Sequence, residues 1–137
     1  MSDLVSNSFQ LNPVGFIMIN GTACKLSSYT GIVTVANNTE LVPAATTSSS
    51  PVYPGNMIHR VMSMELFTGA GGLSTFQFKS ATGGTAKYNG ELPASSQHIL
   101  PFSLGGYWET TAGQGIFVDV GTTAMYINFQ YITYRIP

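Results

Sequence analysis

Charge is what this chain has least of. Five Lys or Arg, six Asp or Glu and two His stand among 137 residues, so charged side chains are 8% of the sequence, against about 25% in ordinary soluble domains. The basic residues Lys25, Arg60, Lys79, Lys87 and Arg135 are scattered. Contact with a phosphate backbone needs several such groups together, which excludes nucleic acid as an expected partner. Cysteine occurs once, at Cys24, so no internal disulfide can form and a buried spectator thiol is expected. No apolar run approaches the roughly 18 residues of a membrane span, and no membrane partner is expected. The opening Met1-Ser2-Asp3-Leu4 has neither the basic nor the apolar region of a secretory signal, which predicts synthesis in a cytosol and release only by lysis. Asn20-Gly21-Thr22 and Asn37-Asn38-Thr39 match the glycosylation pattern but have no meaning without a secretory route.

What is present is apolar and neutral. Hydrophobic residues are 44% of the chain and aromatics 12%, so the exterior must be built from Ser, Thr, Asn, Gln and Gly. Such a surface has little electrostatic protection against association and suits a component of an assembly. The length fits one domain that buries about 68% of its unfolded surface. We divide it into an N-terminal arm, residues 1–13, and a β-sandwich domain, residues 14–137. The arm is polar with Phe9 and Leu11 interspersed, and such termini order only when tied down.

Alternation with a period of two runs through the domain. Met125, Ile127, Phe129 and Tyr131 fall on one face of an extended strand, and Tyr126, Asn128, Gln130 and Ile132 on the other. Ile116, Val118 and Val120 alternate with Phe117 and Asp119, and Gly121-Thr122-Thr123 reads as the turn of a hairpin. Arg60, Met62, Met64 and Leu66 alternate with Val61, Ser63, Glu65 and Phe67, and residues 68–72 turn that strand into residues 73–79, where Phe76 and Phe78 share a face. Asn89-Gly90 is the strongest short hairpin signal, and Pro93 restricts the next segment to an edge or loop. Shorter strands are predicted at residues 16–19, 31–35, 97–102 and 107–109, with Asn37-Asn38 as a turn and residues 43–51 as a surface loop. About eight strands and no convincing helix predict an all-β fold: a single antiparallel β-sandwich, jelly-roll-like. Met62, Met64, Leu66, Phe76, Phe78, Val118, Ile127 and Phe129 are its expected core.

Chemistry is hard to find. The acids Asp3, Glu40, Glu65, Glu91, Glu109 and Asp119 form no short motif, and His59 and His98 lie far apart, so no catalytic site, metal site or cofactor is expected. Gly69-Ala70-Gly71-Gly72 lacks the Gly-Lys-Ser/Thr ending of a phosphate loop. Glu109 beside Tyr107 and Trp108 is the one arrangement that suggests a ligand, a carboxylate next to an aromatic platform for sugar.

One order of short signals points further. Thr75-Phe76-Gln77-Phe78-Lys79-Ser80 precedes a Gly-containing turn, then come Leu100-Pro101-Phe102 and Gly106-Tyr107-Trp108-Glu109-Thr110-Thr111-Ala112-Gly113. After these come Ile116-Phe117-Val118-Asp119-Val120 and a last strand carrying Tyr131. From about Val42 to Tyr134 the chain resembles the small all-β decoration, or cement, proteins of tailed bacteriophage heads. The resemblance implies a non-enzymatic virion protein, made in the host bacterial cytoplasm. It would bind the major capsid protein on the outer capsid surface, as a homo-oligomer or symmetric array. Phe9, Leu11, Val14, Phe16 and Tyr53, apolar residues outside the best core strands, are the candidate coat contacts. The alternative is a receptor- or carbohydrate-binding domain of a head or tail fibre, using Tyr107, Trp108 and Glu109.

Overall fold

A computed structural model of the chain describes residues 16–19, 22–45 and 57–135. Ten strands are seen among them: β1 (Phe16–Ile19), β2 (Thr22–Val33), β3 (Ala36–Val42), β4 (Met57–Thr68), β5 (Ser74–Lys79), β6 (Ala86–Leu92), β7 (Gln97–Leu100), β8 (Trp108–Glu109), β9 (Ile116–Gly121) and β10 (Met125–Arg135). They form two antiparallel sheets. The larger runs β1-β2-β10-β4-β7, with β8 also on β4, and the smaller β3-β9-β5-β6. Setting aside β1 and the two-residue β8, the orders β2-β10-β4-β7 and β3-β9-β5-β6 are those of an eight-stranded jelly roll. The fold expected from periodicity is therefore the one observed.

The jelly roll corrects the expected hairpins. β9 and β10 do not pair with each other: β9 lies between β3 and β5, and β10 between β2 and β4 in the other sheet. β4 and β5 are likewise in different sheets. A Gly-rich turn dictates that the chain reverses, and both sheets offer an apolar inner face to receive the returning strand. Consecutive strands do pair as hairpins at β1–β2 and at β5–β6, through residues 80–85. Asn89-Gly90 is no turn but lies inside β6, with Gly90 opposite Phe76. A Cβ on Gly90 would stand 3.0 Å from the Phe76 ring, so this glycine leaves room for an aromatic side chain lying across the backbone. The turn near residue 35 falls at Thr34 and Val35, while Asn37 and Asn38 belong to β3, where Asn38 takes a positive φ of 59° at a register shift. β7 stops at Leu100, since Pro101 has no N–H to continue the ladder.

The inward faces of both sheets meet in one core that includes Val61, Met64, Leu66, Phe76, Phe78, Trp108, Val118, Ile127 and Phe129. All eight expected core residues are buried. Met62 nevertheless belongs elsewhere. Gln130 pairs with Ser63 but Tyr131 pairs with Val61, so β4 carries one extra residue, Met62, at a β-bulge. Beyond the bulge odd-numbered β4 residues face the core, and Met62 joins Cys24, Ile132 and Tyr134 in a second buried cluster. That cluster lies on the opposite face of the larger sheet, as the pairing of Leu26 with Ile132 requires.

Candidate functional site

On the outward face of the larger sheet, cross-strand register sets side chains in rows. Ile32, Tyr126, Phe67 and Gln97 make one row, and Thr30, Asn128, Glu65 and Ile99 the next. Ser28, Gln130 and Ser63 make the third. Within the second and third rows side chains are hydrogen-bonded across strands. Thr30 Oγ1 donates to Asn128 Oδ1 at 2.9 Å, Asn128 Nδ2 donates to Glu65 Oε1 at 2.9 Å, and Ser63 Oγ donates to Gln130 Oε1 at 3.1 Å. Asn128 and Glu65 of the second row and the whole third row floor a cleft of about 390 Å³, walled by Ile99 and Leu100 of β7 and by Pro101 and Phe102 after it. Sequence reasoning passes over these residues because alternation marks them only as the outward face.

Elsewhere on the larger sheet lies a charged knot. Arg60 Nε donates to Glu109 Oε2 at 2.7 Å, Tyr134 Oη donates to the same oxygen at 2.5 Å, and the Arg60 guanidinium sits 4.9 Å from the centre of the Tyr134 ring. Burial alone raises the Glu109 pKa, but the hydrogen bonds from Tyr134 and Arg60 prevail and hold it below the ordinary range. Gly106, at φ +74°, lets the backbone pass this knot, since a Cβ there would stand 2.6 Å from Arg60 Cγ and Cδ.

The buried polar side chains include His59 and Lys79. His59 is 3% exposed; its Nε2 lies 3.0 Å from the Pro43 carbonyl and its Nδ1 2.7 Å from Thr133 Oγ1. Since a carbonyl only accepts, Nε2 carries the proton and Nδ1 accepts from Thr133: the neutral imidazole satisfies both partners. Burial pushes its pKa down, and the Pro43 hydrogen bond only partly offsets this. On the outward face of the smaller sheet, Lys79 Nζ donates to Asp119 Oδ2 at 2.9 Å and to Asn38 Oδ1 at 2.8 Å. Asn38 N donates to Asp119 Oδ1 at 2.7 Å, which explains the unusual Asn38 backbone. Among the described residues no three of His, Cys, Asp and Glu cluster as metal ligands would.

The sugar platform of the alternative reading does not assemble. Trp108 is 8% exposed and lies in the core, its ring 5.6 Å from that of Phe78, while Glu109 points to the other face against Arg60. Period two puts adjacent strand residues on opposite sides, so Trp108 and Glu109 cannot serve one ligand. Among the described residues the Trp108 indole Nε1 meets no hydrogen-bond partner, and the ring is held by packing in the core. Tyr107 is more exposed, its hydroxyl donating to the Pro101 carbonyl. Of the candidate coat contacts, Phe16 opens β1; Phe9, Leu11, Val14 and Tyr53 lie outside the described residues, as do residues 1–13, the expected arm.

No protein-family model matches the chain, and no curated protein matches it. Among solved structures, it is similar to a protein of Bacillus endospore appendages, described as a novel family of disulfide-linked pili, at 16% identity and TM-score 0.42, over 88% of this chain and 96% of that one. It is similar to PirA at 14% identity and TM-score 0.33, over 79% and 92%. A third likeness is to a chain of the equine rhinitis A virus capsid, a picornavirus, at 11% identity and TM-score 0.30, over 80% and 67%. Likenesses this remote leave function to the chemistry of the chain itself.

Proposed function

We propose that the chain is a non-enzymatic structural protein of a bacteriophage particle, decorating the outer capsid surface by binding the major coat subunits in a symmetric array. One observation carries this reading: a surface almost without charge also exposes large apolar side chains. Among the described residues these are Ile32, Val35, Leu73, Ile99, Phe102, Leu104 and Tyr107, 38–73% exposed. They fall in two groups. Ile32, Val35 and Leu73 sit at the end where the chain crosses between sheets, and the other four succeed one another from β7 along the segment joining it to β8. Apolar groups gathered in this way on a neutral surface suit contact with another protein. Phe9, Leu11, Val14, Phe16 and Tyr53 would add anchors, each contributing about 1.5–3 kcal/mol before ordering costs.

A ligand that binds only the assembled shell stabilises that shell. Adding the purified protein to preformed capsids should raise their melting temperature, and the protein deleted for residues 1–12 should fold yet bind more weakly. Equal melting of shells with and without the protein would remove the decoration reading.

A further inference from the structure

The cleft on the larger sheet has a definite chemistry, which does not depend on the capsid reading. Its lining holds hydroxyls, carboxamides, one carboxylate and apolar side chains, with no Lys, Arg or His. Phosphate, sulfate and uronate ligands would meet the Glu65 carboxylate with no cation to offset it, so an anionic ligand is disfavoured. The polar floor is too rich in donors and acceptors for a purely apolar guest, whose entry would leave them unpaired. What fits is a neutral molecule bearing several hydroxyls, each able both to donate and to accept.

Hydrogen-bonding capacity remains in the floor after its internal wiring is complete. Gln130 uses its Oε1 for Ser63, leaving both Nε2 protons for a ligand. Glu65 uses Oε1 for Asn128, leaving Oε2 as an acceptor. These side chains are already held by neighbours on three adjacent strands, which lowers the conformational cost of binding. Along the rim, Ile99 and Phe102 are 48% and 46% exposed and offer an apolar wall to the C–H face of a ring. The volume of about 390 Å³ lies within the roughly 300–1,000 Å³ usual for small-molecule sites.

We propose that this cleft binds a neutral saccharide, a hexose or N-acetylhexosamine unit, with Gln130 and Glu65 pairing its hydroxyls and Phe102 packing against its ring. The site is distinct from the Tyr107-Trp108-Glu109 segment, whose side chains diverge.

The test uses the full chain and saturation-transfer NMR with glucose, galactose and N-acetylglucosamine oligomers, alongside sialylated and sulfated sugars. At least one neutral series should bind. Gln130→Ala and Phe102→Ala should each weaken it about three- to tenfold, as expected for one lost contact. Lys87→Ala, on the other sheet, should bind as the parent does, and melting curves of all variants establish that they are folded. Absence of binding to every neutral sugar, preference for the anionic sugars, or unchanged affinity in the folded Gln130→Ala, Phe102→Ala double variant would each overturn the proposal. Capsid binding measured on the same variants separates this site from the decoration surface.

Discussion

His59 is neutral because its two partners and its burial suit only the neutral ring, and this gives folding a pH dependence of fixed sign. The folded state binds fewer protons than the unfolded state once pH falls below the ordinary histidine value of about 6.5. The His59 contribution is therefore fully present above that value and is lost as pH falls towards the depressed folded pKa. Asp119 and Glu109 act in the same sense further down. For Asp119, burial raises the pKa but Lys79 and the Asn38 N–H lower it more, so both carboxylates lose their contribution as pH falls below about 4. Denaturant titrations from pH 7.5 to 3.5 should show stability falling in two stages, and His59→Gln should flatten the first. Lys79 itself, with a side chain 5% exposed, depends on its counterion. Asp119→Asn should cost roughly 3 kcal/mol, because it leaves a buried cation without a compensating charge, whereas Lys79→Met should cost less by removing the charge along with its desolvation. Urea unfolding of the two variants tests that order.

At the scale of the element, the bulge in β4 divides one strand between two cores. Met62 is fully buried away from the space between the sheets, so Met62→Ala should destabilise by about 2–5 kcal/mol, as much as Met64→Ala in the main core. Comparing their unfolding midpoints checks this. The same strand shows what a sequence can disclose. Burial of Met62, Met64 and Leu66 is legible, since alternating apolar residues demand a covered face. The change of face is not, because nothing in Val61-Met62-Ser63 marks an extra residue: apolar side chains adjoin on both sides of the slip. Strand positions are readable for the same reason, and jelly-roll architecture from their number and spacing. Partner strands are not, since a turn signal is local while pairing is decided by which sheet completes its inner face. The outward cleft is illegible in a further way. Its wall comes from residues 99–102 and its floor from β2, β4 and β10, and only the fold brings these together. Trp108 and Glu109 mislead as a pair because adjacency in sequence is not adjacency in space.

For the whole molecule, the decoration reading and the sugar-binding cleft ask different things of one neutral surface. A neutral exterior avoids charge repulsion between copies crowded in an array, at the expense of protection when the protein is free. The place of β10 in the larger sheet makes that expense concrete. β10 stands between β2 and β4, filling a slot that strands earlier in the sequence have framed. During synthesis, β2 and β4 are complete long before the strand that joins them emerges, and until then each offers an unpaired edge with few charges to discourage a wrong partner. Val33 must wait for Met125, and closing loops of that length places folding among the slower, millisecond-to-second processes of β-rich domains. Timing is therefore part of what this topology demands: the chain is most vulnerable to aggregation in the interval when β2 and β4 have been made and β10 has not.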